Sequence, residues 1–487
     1  MSGKIVNRRS LNKLFKRMQC FSEDEINKIH LSVMEVFRDV GVAFREPEAL
    51  KIFKQHMFKV DGNTVFFEEE QVMNTIDSVP SQFTIFARNP EKNVDVGGEH
   101  FALLPGWGSP FIIDSNGEQR DALMEDYNNF CKLVHTSEYL DMNGFLMVMP
   151  KDIHPDRAHL DMTLSNMLLS DKAFMGSPQD RIKARDSLHM AAILFGGEEN
   201  IMNKPVIPSK VSPISPFFYS TEMAGALIEY ARLGQPLEFP DMILSGTSAP
   251  ITLAGTLVVM TTEVLAGVVL AQLINPGTPC VIGGCSCATD MKTGGLGLGG
   301  PEAVQIAHMT AQIGRLYGIP TKAGGSLTDS FFPDMQAGVE SALAMFTSLA
   351  SGNHFMNQAC GILAGFNAMS YEKFLIDEET CGMIRRILKP IEINDETIAL
   401  EQIKKAGIGG TYITSPETLK KCRTELFRPE LATRGSYEKW KNQEKKQIWE
   451  KAKTALAKRF DGYARPDIDP GIEKDLKQFV KKRYKAI

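Results

Sequence analysis

The segment from Thr328 to Gln336 carries the densest group of side chains that could take part in chemistry. Asp329 and Gln336 offer a carboxylate and an amide, and between them lie two adjacent aromatic residues, Phe331 and Phe332. A carboxylate and an amide can position or polarise a reacting group, so we predict Asp329 and Gln336 as catalytic residues. A second interpretation of Asp329 is that its side chain caps the helix that follows.

Aromatic residues recur in other predicted loops and strand ends. A quaternary ammonium ion cannot be hydrogen-bonded, and proteins bind it against the faces of aromatic rings. We therefore predict that Phe331, Phe332, Trp107 and Tyr219 contribute to the wall of a cation pocket. Further candidates for the same wall are Phe217, Phe218, Phe355 and Tyr371.

Two lysines fall on predicted strands, Lys210 and Lys322. A lysine inside a strand-built core requires a partner, so an anionic ligand group or a buried carboxylate is expected beside them. His354 and Asn357 fall on a further strand. We predict that Lys322, His354 and Asn357 bind substrate, although a single histidine can also be purely structural.

Three cysteines, Cys280, Cys285 and Cys287, lie at and just after one predicted strand. Three cysteines this close together could form a zinc site with thiolate ligands, of the kind that activates thiols for alkylation. No Cys-x-x-Cys pair accompanies the three residues, so we predict no metal site and interpret them as small residues that pack near an open site.

Glycines at 295, 297 and 300 match the G-x-G-x-x-G pattern before a helix. Residues 288–293 separate them from the preceding strand, whereas a dinucleotide-binding fingerprint needs strand, turn and helix in direct succession. We interpret Gly295, Gly297 and Gly300 instead as a place where a large flat group approaches the backbone closely.

The elements that must position these residues alternate between apolar strands and helices. This order predicts a parallel sheet, and its spacing favours a (β/α)8 barrel, in which functional residues follow the carboxyl ends of the strands. The eighth strand has two candidate locations, the possible hairpin before Asp114 and the segment near Tyr412–Ile413. The seven clear strands are predicted at Met142–Met149, Ala173–Gly176, Pro205–Lys210, Met242–Ser245, Pro279–Gly283, Pro320–Gly324 and His354–Ala359.

Helix boundaries are marked by capping residues. Ser22 and Glu25 form a capping-box pattern, Pro301 and Gly318 bracket another helix, and Pro333 and Gly352 bracket a third. The apolar residues of the third helix recur at helical spacing and are predicted to form its buried face: Met335, Val339, Leu343 and Phe346.

The chain divides into three predicted regions: an N-terminal helical and mixed cover (1–100), the barrel (101–415) and a charged helical tail (416–487). Residues 251–274 are almost wholly apolar, with Glu263 as their single charge. We interpret them as a buried helix rather than a membrane span, and as a plausible subunit interface in a homo-oligomer.

Composition excludes several partners. A formal net charge of −5 over 487 residues gives no general attraction to nucleic acid or an anionic membrane, and we predict neither as a partner. The eight cysteines are scattered, and the basic N-terminal stretch has no apolar signal core. These features predict a cytoplasmic protein in a reducing compartment.

The chain resembles the trimethylamine methyltransferase family over most of its length. The resemblance is carried by Ser22 to Gly41, Pro105–Gly108, Ser245–Thr247, Gly324 to Gln336 and Phe374–Asp377. Members that demethylate trimethylamine carry pyrrolysine near the segment that matches Thr328–Gln336, and Phe331 stands about there in this chain. The resemblance therefore implies the pyrrolysine-free branch, which acts on glycine betaine and related quaternary amines.

The resemblance also implies the reaction partner. A separate corrinoid protein accepts the methyl group on Co(I), no cofactor is bound tightly by the methyltransferase itself, and the glycine-rich loop at 294–300 would allow the corrin ring to approach. His354 or Lys322 would bind a substrate carboxylate. Two alternatives stay open: a non-catalytic betaine-binding or assembly protein on the same barrel, and a zinc-dependent thiol methyltransferase.

Overall fold

The computed structural model describes residues 18–487, so the basic N-terminal stretch lies outside the described residues. Helix α1 begins after Ser22 with the predicted capping box, in which Ser22 and Glu25 bind each other's backbone N–H. The N-terminal cover contains α1 (Glu23–Asp39), α2 (Pro47–Gln55), α3 (Glu69–Ile76) and the strands Val42–Phe44, Lys59–Asp61 and Thr64–Phe66.

Eight short parallel strands lie at the centre of the molecule. In chain order they are β1 (Ala102–Leu103), β2 (Met142–Asn143), β3 (Ala173–Phe174), β4 (Ser209–Lys210), β5 (Leu237–Asp241), β6 (Cys280–Gly284), β7 (Thr321–Gly324) and β8 (Phe355–Asn357). Six of them form one sheet in the order β4-β5-β6-β7-β8-β1, and β2 pairs with β3. Their residues are all buried, as expected for parallel strands covered on both faces. The predicted α/β fold with a parallel sheet is confirmed.

Two further backbone hydrogen bonds connect the β2–β3 pair with the edges of the six-stranded sheet. The Asp141 N–H donates to the Leu103 carbonyl (2.9 Å), and the Gly176 N–H donates to the Pro208 carbonyl (2.9 Å). The first bond lies between β1 and β2, and the second lies between β3 and β4.

Six of the seven predicted strands overlap a central strand, although those at Met142–Asn143 and Ser209–Lys210 are much shorter than predicted. The fourth predicted strand, Met242–Ser245, is wrong in position, because the sheet strand is β5 and Leu244–Ser245 pairs elsewhere with Cys287–Thr289. Of the two locations for an eighth parallel strand, the segment before Asp114 supplies one as β1, whereas Tyr412–Ile413 forms no strand.

One helix follows each central strand and packs around the sheet. These helices are α4 (Met124–Thr136), α5 (Pro155–Leu169), α6 (Arg181–Phe195), α7 (Thr221–Arg232), α8 (Leu253–Ile274), α9 (Pro301–Tyr317), α10 (Met335–Ala350) and α11 (Tyr371–Leu388). The remaining strands form small sheets and hairpins at Gln82–Ile85, Val94–Gly97, Phe111–Ile113, Gln119–Asp121, Phe218–Tyr219, Leu244–Ser245, Cys287–Thr289, Leu296–Gly297, Ile362–Leu363 and Ala368–Met369.

Helix α8 is the one helix within residues 18–487 that is long and apolar enough to cross a membrane. In its most apolar window 83% of the residues are buried inside the protein, and α1, α2 and α3 pack against it. The buried-helix interpretation is therefore confirmed. The expectation that α8 forms a subunit interface is wrong, because the chain's own N-terminal helices cover it.

The apolar stripe of α10 faces outward. Met335 is 84% exposed, Val339 54% and Leu343 57%, so the predicted buried face is wrong for these three residues, while Phe346 is half-buried. The inward side carries small residues, which let the helix lie close to its neighbours: Ala337, Ser341, Ala344 and Ser348.

Two short helices, α12 (Asp395–Ile398) and α13 (Leu400–Ala406), lie within the region predicted as barrel. The region predicted as a helical tail contains α14 (Pro416–Lys421), α15 (Tyr437–Asn442), α16 (Ile448–Asp461) and α17 (Pro470–Tyr484). Helix α16 packs on α4 and α11, and α17 packs on α5 and α6, so these two helices belong to the body of the molecule.

Candidate active site

A cluster of buried charged side chains lies among the central strands. The Glu238 carboxylate on β5 accepts a hydrogen bond from Asn357 Nδ2 (2.7 Å) and lies 3.1 Å from Lys322 Nζ and 4.0 Å from Lys210 Nζ. Lys322 and Glu238 are almost completely buried, with 0% and 2% of their side chains exposed. The structure thus brings Lys322 and Asn357 together, and Glu238 is the buried carboxylate that the lysines required.

The geometry of β6 allows this close arrangement. Gly283, which lies between β5 and β7, has a φ of 137°. A Cβ atom there would stand 2.3 Å from the carbonyl oxygen of Lys322, so only glycine permits β7 to lie this close at the position of its lysine.

Two ammonium groups face one carboxylate in this cluster. Burial alone would raise the pKa of Glu238, but Lys322 and Lys210 outweigh burial and hold that pKa below its usual value. Burial lowers the pKa of Lys210 to about 8, with a further contribution from the neighbouring Lys322 ammonium. The Lys322 pKa is raised despite burial, because Cys285 and Glu238 lie beside its ammonium group. With both lysines protonated, these three groups carry one excess positive charge.

Several buried polar atoms on the same strands make no hydrogen bond within residues 18–487. They are Glu238 Oε2, Asn357 Oδ1 and both amide atoms of Asn143. Buried polar groups are normally hydrogen-bonded, so unsatisfied atoms on these strands indicate a place for a polar ligand or water.

The aromatic and thiol neighbours of the cluster lie toward the carboxyl ends of the strands. Lys210 Nζ stands 4.4 Å from the centroid of the Trp107 ring. Lys322 Nζ is 3.6 Å from the sulfur of Cys285, which in turn lies 3.4 Å from Gln358 Oε1. Trp107 is therefore a predicted aromatic wall residue that contacts the charged cluster.

The other two cysteines of the predicted group have different surroundings. Cys280 and Cys287 are buried, and burial raises the pKa of each thiol to about 12. Within residues 18–487, no three His, Cys, Asp or Glu side chains are grouped so that they could hold a metal ion.

Asp329 holds the glycine-rich segment in place. Its carboxylate accepts hydrogen bonds from the N–H groups of Leu298 (3.2 Å) and Gly299 (2.9 Å). Burial raises the pKa of Asp329, with a contribution from nearby Glu340. The residue that caps α10 is Asp334, so the capping interpretation of Asp329 is wrong.

Glu340 connects the same loop with α10. Its carboxylate accepts hydrogen bonds from the Thr328 hydroxyl (2.6 Å), the Asp329 N–H (2.9 Å) and the Gln336 amide (2.9 Å). Gln336 is exposed at the start of the helix. Asp329 and Gln336 therefore belong to one network that fixes the loop, and neither lies within hydrogen-bonding distance of the charged cluster.

The predicted glycines lie in and beside a β-hairpin. Cys287–Thr289 pairs antiparallel with Leu296–Gly297, so Gly297 is in the second strand and Gly295 directly precedes it. Gly300 stands at the N-terminal end of α9. Gly295 is exposed and Gly297 and Gly300 are half-buried, so the backbone of this hairpin is accessible.

Four predicted binding residues lie apart from the charged cluster. Phe331 is 70% exposed, and Phe332 packs edge-on against Trp449 of the tail, with ring centroids 5.8 Å apart. Tyr219 is buried and stacks on Phe44 of the N-terminal cover. His354 lies immediately before β8, at the opposite end from the carboxyl ends, where its Nδ1 accepts from the Thr321 N–H (3.1 Å).

Sequence reasoning missed a pair of buried acids at the end of β5. Glu263 of α8 accepts hydrogen bonds from the Phe217 N–H (2.7 Å) and the Ser215 hydroxyl (2.7 Å), and Asp241 lies 3.2 Å from the same hydroxyl. Burial, together with the adjacent Glu263 carboxylate, raises the pKa of Asp241 well above its usual range. The isolated charge of Glu263 in an apolar helix was the signal that could have identified this pair.

Comparison with known proteins identifies the family. The family described as "Trimethylamine methyltransferase (MTTB)" matches residues 2–487. The chain belongs to this family. It is a methyltransferase.

Its relatives include proteins that are named for different amines. The chain is 38% identical to a glycine betaine methyltransferase of Desulfitobacterium hafniense, over 98% of this chain and 99% of the relative. It is 31% identical to a proline betaine:corrinoid methyltransferase of Eubacterium limosum, over 97% of each chain. It is 30% identical to a trimethylamine methyltransferase of Desulfitobacterium hafniense, over 94% of this chain and 93% of the relative.

Among solved structures, the chain is similar to the monomethylamine methyltransferase of Methanosarcina barkeri. The two share 13% sequence identity with a TM-score of 0.48, over 92% of this chain and 96% of that chain.

Proposed function

We propose that this methyltransferase moves a methyl group from a betaine, a quaternary amine that also carries a carboxylate, to Co(I) of a separate corrinoid protein. The main support is the buried cluster in which Lys210 and Lys322 share Glu238, the one carboxylate that pairs with either lysine within residues 18–487. An excess buried ammonium calls for an anionic ligand group. The relatives that are named for glycine betaine and proline betaine support the same substrate class.

Lys210 is the group in this proposal that binds the substrate carboxylate. Lys322 already contacts Glu238 at 3.1 Å and Cys285 at 3.6 Å, whereas Lys210 is 4.0 Å from Glu238 and faces the ring of Trp107. Its ammonium therefore retains donors for a second carboxylate. This replaces His354 as a candidate, since His354 lies at the opposite end of its strand from the carboxyl ends.

The methyl transfer depends on the orientation of the substrate more than on acid–base catalysis. Co(I) supplies an electron pair to the methyl carbon, the C–N bond breaks with its electrons on nitrogen, and a neutral tertiary amine leaves. Because the quaternary nitrogen is already positively charged, no proton transfer is needed, and the protein contributes by holding the methyl group in line with cobalt.

The hairpin 287–297 and the loop 325–334 form the side on which the corrinoid approaches in this proposal. Asp329 ties the two together through Leu298 and Gly299, so it acts as a positioning residue rather than as a group that touches substrate. The accessible backbone at Gly295 and Gly297 and the exposed ring of Phe331 support this side.

We also propose that the eight central strands close into a (β/α)8 barrel. The bonds from Asp141 to Leu103 and from Gly176 to Pro208 support closure, because they lie at the two junctions where the sheets are separate. The one helix that follows every strand supports it as well.

A methylation assay with Co(I)-cobalamin and with a corrinoid protein tests the function. Glycine betaine, proline betaine, carnitine and butyrobetaine are the substrates, and tetramethylammonium and trimethylamine are controls without a carboxylate. We expect methylcobalamin from at least one betaine and much less from the controls. Tight binding of a betaine without any methyl transfer would instead support a non-catalytic binding protein, and absence of both would refute the proposal.

A further inference from the structure

A long segment between α11 and the C-terminal tail lies uncovered on the surface. This segment, residues 390–426, is called the arm below, and it contains α12, α13 and α14. In this fully described stretch no residue is buried. Nine large aliphatic side chains are at least 49% exposed, and Ile408 is fully so: Ile391, Ile393, Ile398, Leu400, Ile403, Ile408, Ile413, Leu419 and Leu426.

The arm is held at its base and nowhere along its length. Arg386 of α11 donates a hydrogen bond to the Glu425 carbonyl (2.6 Å) at the end of the arm. Glu379 of α11 accepts from the N–H groups of Glu430, Leu431 and Ala432, at 2.6, 2.7 and 2.9 Å, just beyond it. The C-terminal end of the arm is thus fixed to α11, the helix from which its N-terminal end continues, while the aliphatic residues between the two ends contact solvent.

The helices of the arm are not expected to be stable unless another surface packs on them. Its helices span four to seven residues, far below the length at which an isolated helix persists in water. Exposed apolar patches of this kind mark interaction sites in soluble proteins. The arm carries five Lys and Arg residues against six Asp and Glu residues, so it has no charge that would attract nucleic acid or an anionic membrane.

The outward face of α10 is a second uncovered apolar surface. It presents Met335, Val339 and Leu343, with the small residues Gly338 and Ala342 between them, and it carries no charge. The arm does not cover this face within one chain, because all five residues are exposed. One chain therefore carries two exposed apolar surfaces that do not cover each other.

We propose that two copies of this chain form a dimer in which the arm of each copy lies on the α10 face of the other. A twofold arrangement covers both surfaces on both copies with no surface left over. The methyl acceptor protein does not fit as the occupant, because it must leave after each turnover, and transient interfaces are no more apolar than the rest of a surface. The arm alone is longer than the roughly 20–30 residues that one partner contributes to a standard interface.

Sedimentation velocity of the full chain at micromolar concentration tests the dimer. We expect twice the chain mass of 54.0 kDa for the unmodified protein. An arm variant (Ile393→Asp, Ile408→Asp, Ile413→Asp) and a face variant (Val339→Asp, Leu343→Asp) should each have half that mass. A control variant with equally exposed residues elsewhere (Met57→Asp, Ile182→Asp) should stay dimeric, and circular dichroism should show all four proteins folded.

The outcomes separate the two halves of the proposal. A monomeric unmodified protein, or an arm variant that remains dimeric, would overturn it. If the face variant remains dimeric while the arm variant is monomeric, the arm does not bind the α10 face, and that part of the proposal is wrong. A protein that is monomeric alone and forms a one-to-one complex when the corrinoid protein is added would assign the arm to that partner instead.

A disulfide trap tests the contact directly. In a background with Cys20→Ser and Cys422→Ser, Ile408→Cys is introduced in one preparation and Val339→Cys in another. Mild oxidation of the mixture should give a covalent dimer that contains both variants, at a much higher yield than oxidation of either preparation alone. Equal yields in all three samples would contradict an arm seated on the α10 face.

Discussion

At the scale of single residues, the two lysines of the buried charged cluster are paired unequally with Glu238. Lys322 is paired closely with Glu238, whereas Lys210 stands farther from the same carboxylate and over an aromatic ring. A buried ammonium that lacks a close partner is costly unless a ligand supplies the opposite charge. We therefore expect Lys210 to be the residue that discriminates between amines with and without a carboxylate.

Replacing Lys210 by methionine should lower kcat/KM for glycine betaine by about 10- to 100-fold, the size expected for one lost hydrogen bond to a charged group. Turnover of tetramethylammonium should change much less, because that ion has no carboxylate. Lys210→Arg should retain more betaine activity than Lys210→Met. An equal loss with both substrates would show that Lys210 supports the fold or the reaction in general.

The pH dependence of betaine turnover should follow from the same residue, Lys210. Lys210 has a pKa of about 8, so its ammonium loses a proton as pH rises through that value. Because kcat/KM reports the ionisation of the free enzyme, kcat/KM for glycine betaine should fall above about pH 8. The tetramethylammonium profile should lack this fall, and Lys210→Arg should move it to higher pH. The same fall with both substrates would exclude Lys210 as its origin.

Phe331 is the exposed aromatic residue of the loop after β7. Since 70% of it is exposed, Phe331→Ala should change the free energy of unfolding by less than about 0.5 kcal/mol. We expect a clear loss of methyl transfer nonetheless, larger with the corrinoid protein than with free cobalamin. Chemical denaturation and both assays measure this, and unchanged activity would remove the loop from the proposed site.

At the scale of elements, the loop after β7 and the hairpin 287–297 behave as one unit because Asp329 joins them. Asp329→Asn removes one charged acceptor and should speed the amide hydrogen exchange of Leu298 and Gly299. Methyl transfer to the corrinoid protein should fall more than betaine affinity does. Asp290→Asn is a matched control, since Asp290 accepts the N–H groups of Lys292 and Thr293 in the exposed turn of the same hairpin. Equal effects of the two variants would argue against a special role for Asp329.

The elements also show why sequence reasoning placed Lys322 and Asn357 on central strands but missed Glu238. The strands that hold the first two were predicted where they lie, because short apolar runs end there at glycine or polar residues. The strand that holds Glu238 was predicted at Met242–Ser245, just beyond its true position, so its carboxylate was assigned to no strand. An apolar run marks a strand well but does not locate its ends.

Helix α10 illustrates a second limit. Its periodic aliphatic residues were correctly assigned to one face, but periodicity does not say which face lies inside. Small residues such as Ala337 and Ser341 are the ones that allow close packing on the body. The long-range contacts of Phe332 with Trp449 and of Tyr219 with Phe44 join residues far apart in sequence, and no local pattern records them.

At the scale of the whole molecule, one buried lysine couples stability to pH. Lys172 donates hydrogen bonds to the carbonyls of Ser137 (2.7 Å) and Leu140 (2.6 Å), and burial lowers its pKa to about 7. Between pH 7 and the unfolded value near 10.5, the unfolded chain binds a proton that the folded chain does not. Lys172 therefore makes the folded state gain stability as pH rises across this window.

Comparing the unmodified protein with Lys172→Met isolates this contribution. The difference in unfolding free energy, unmodified minus variant, should increase by up to about 1.4 kcal/mol per pH unit above pH 7. Urea denaturation at several pH values measures it. A difference that stays constant from pH 7 to 10 would show that Lys172 keeps its proton in the folded state.

The position of helix α8 in the chain bears on how the protein folds during synthesis. Its apolar surface, long enough to enter a bilayer, is covered by α1, α2 and α3, which all precede it in the chain. As the ribosome releases the chain from its N-terminus, the cover is present before the helix emerges. We therefore expect the N-terminal region to cover α8 as the chain folds, and its removal should increase the aggregation and membrane association of the newly made protein.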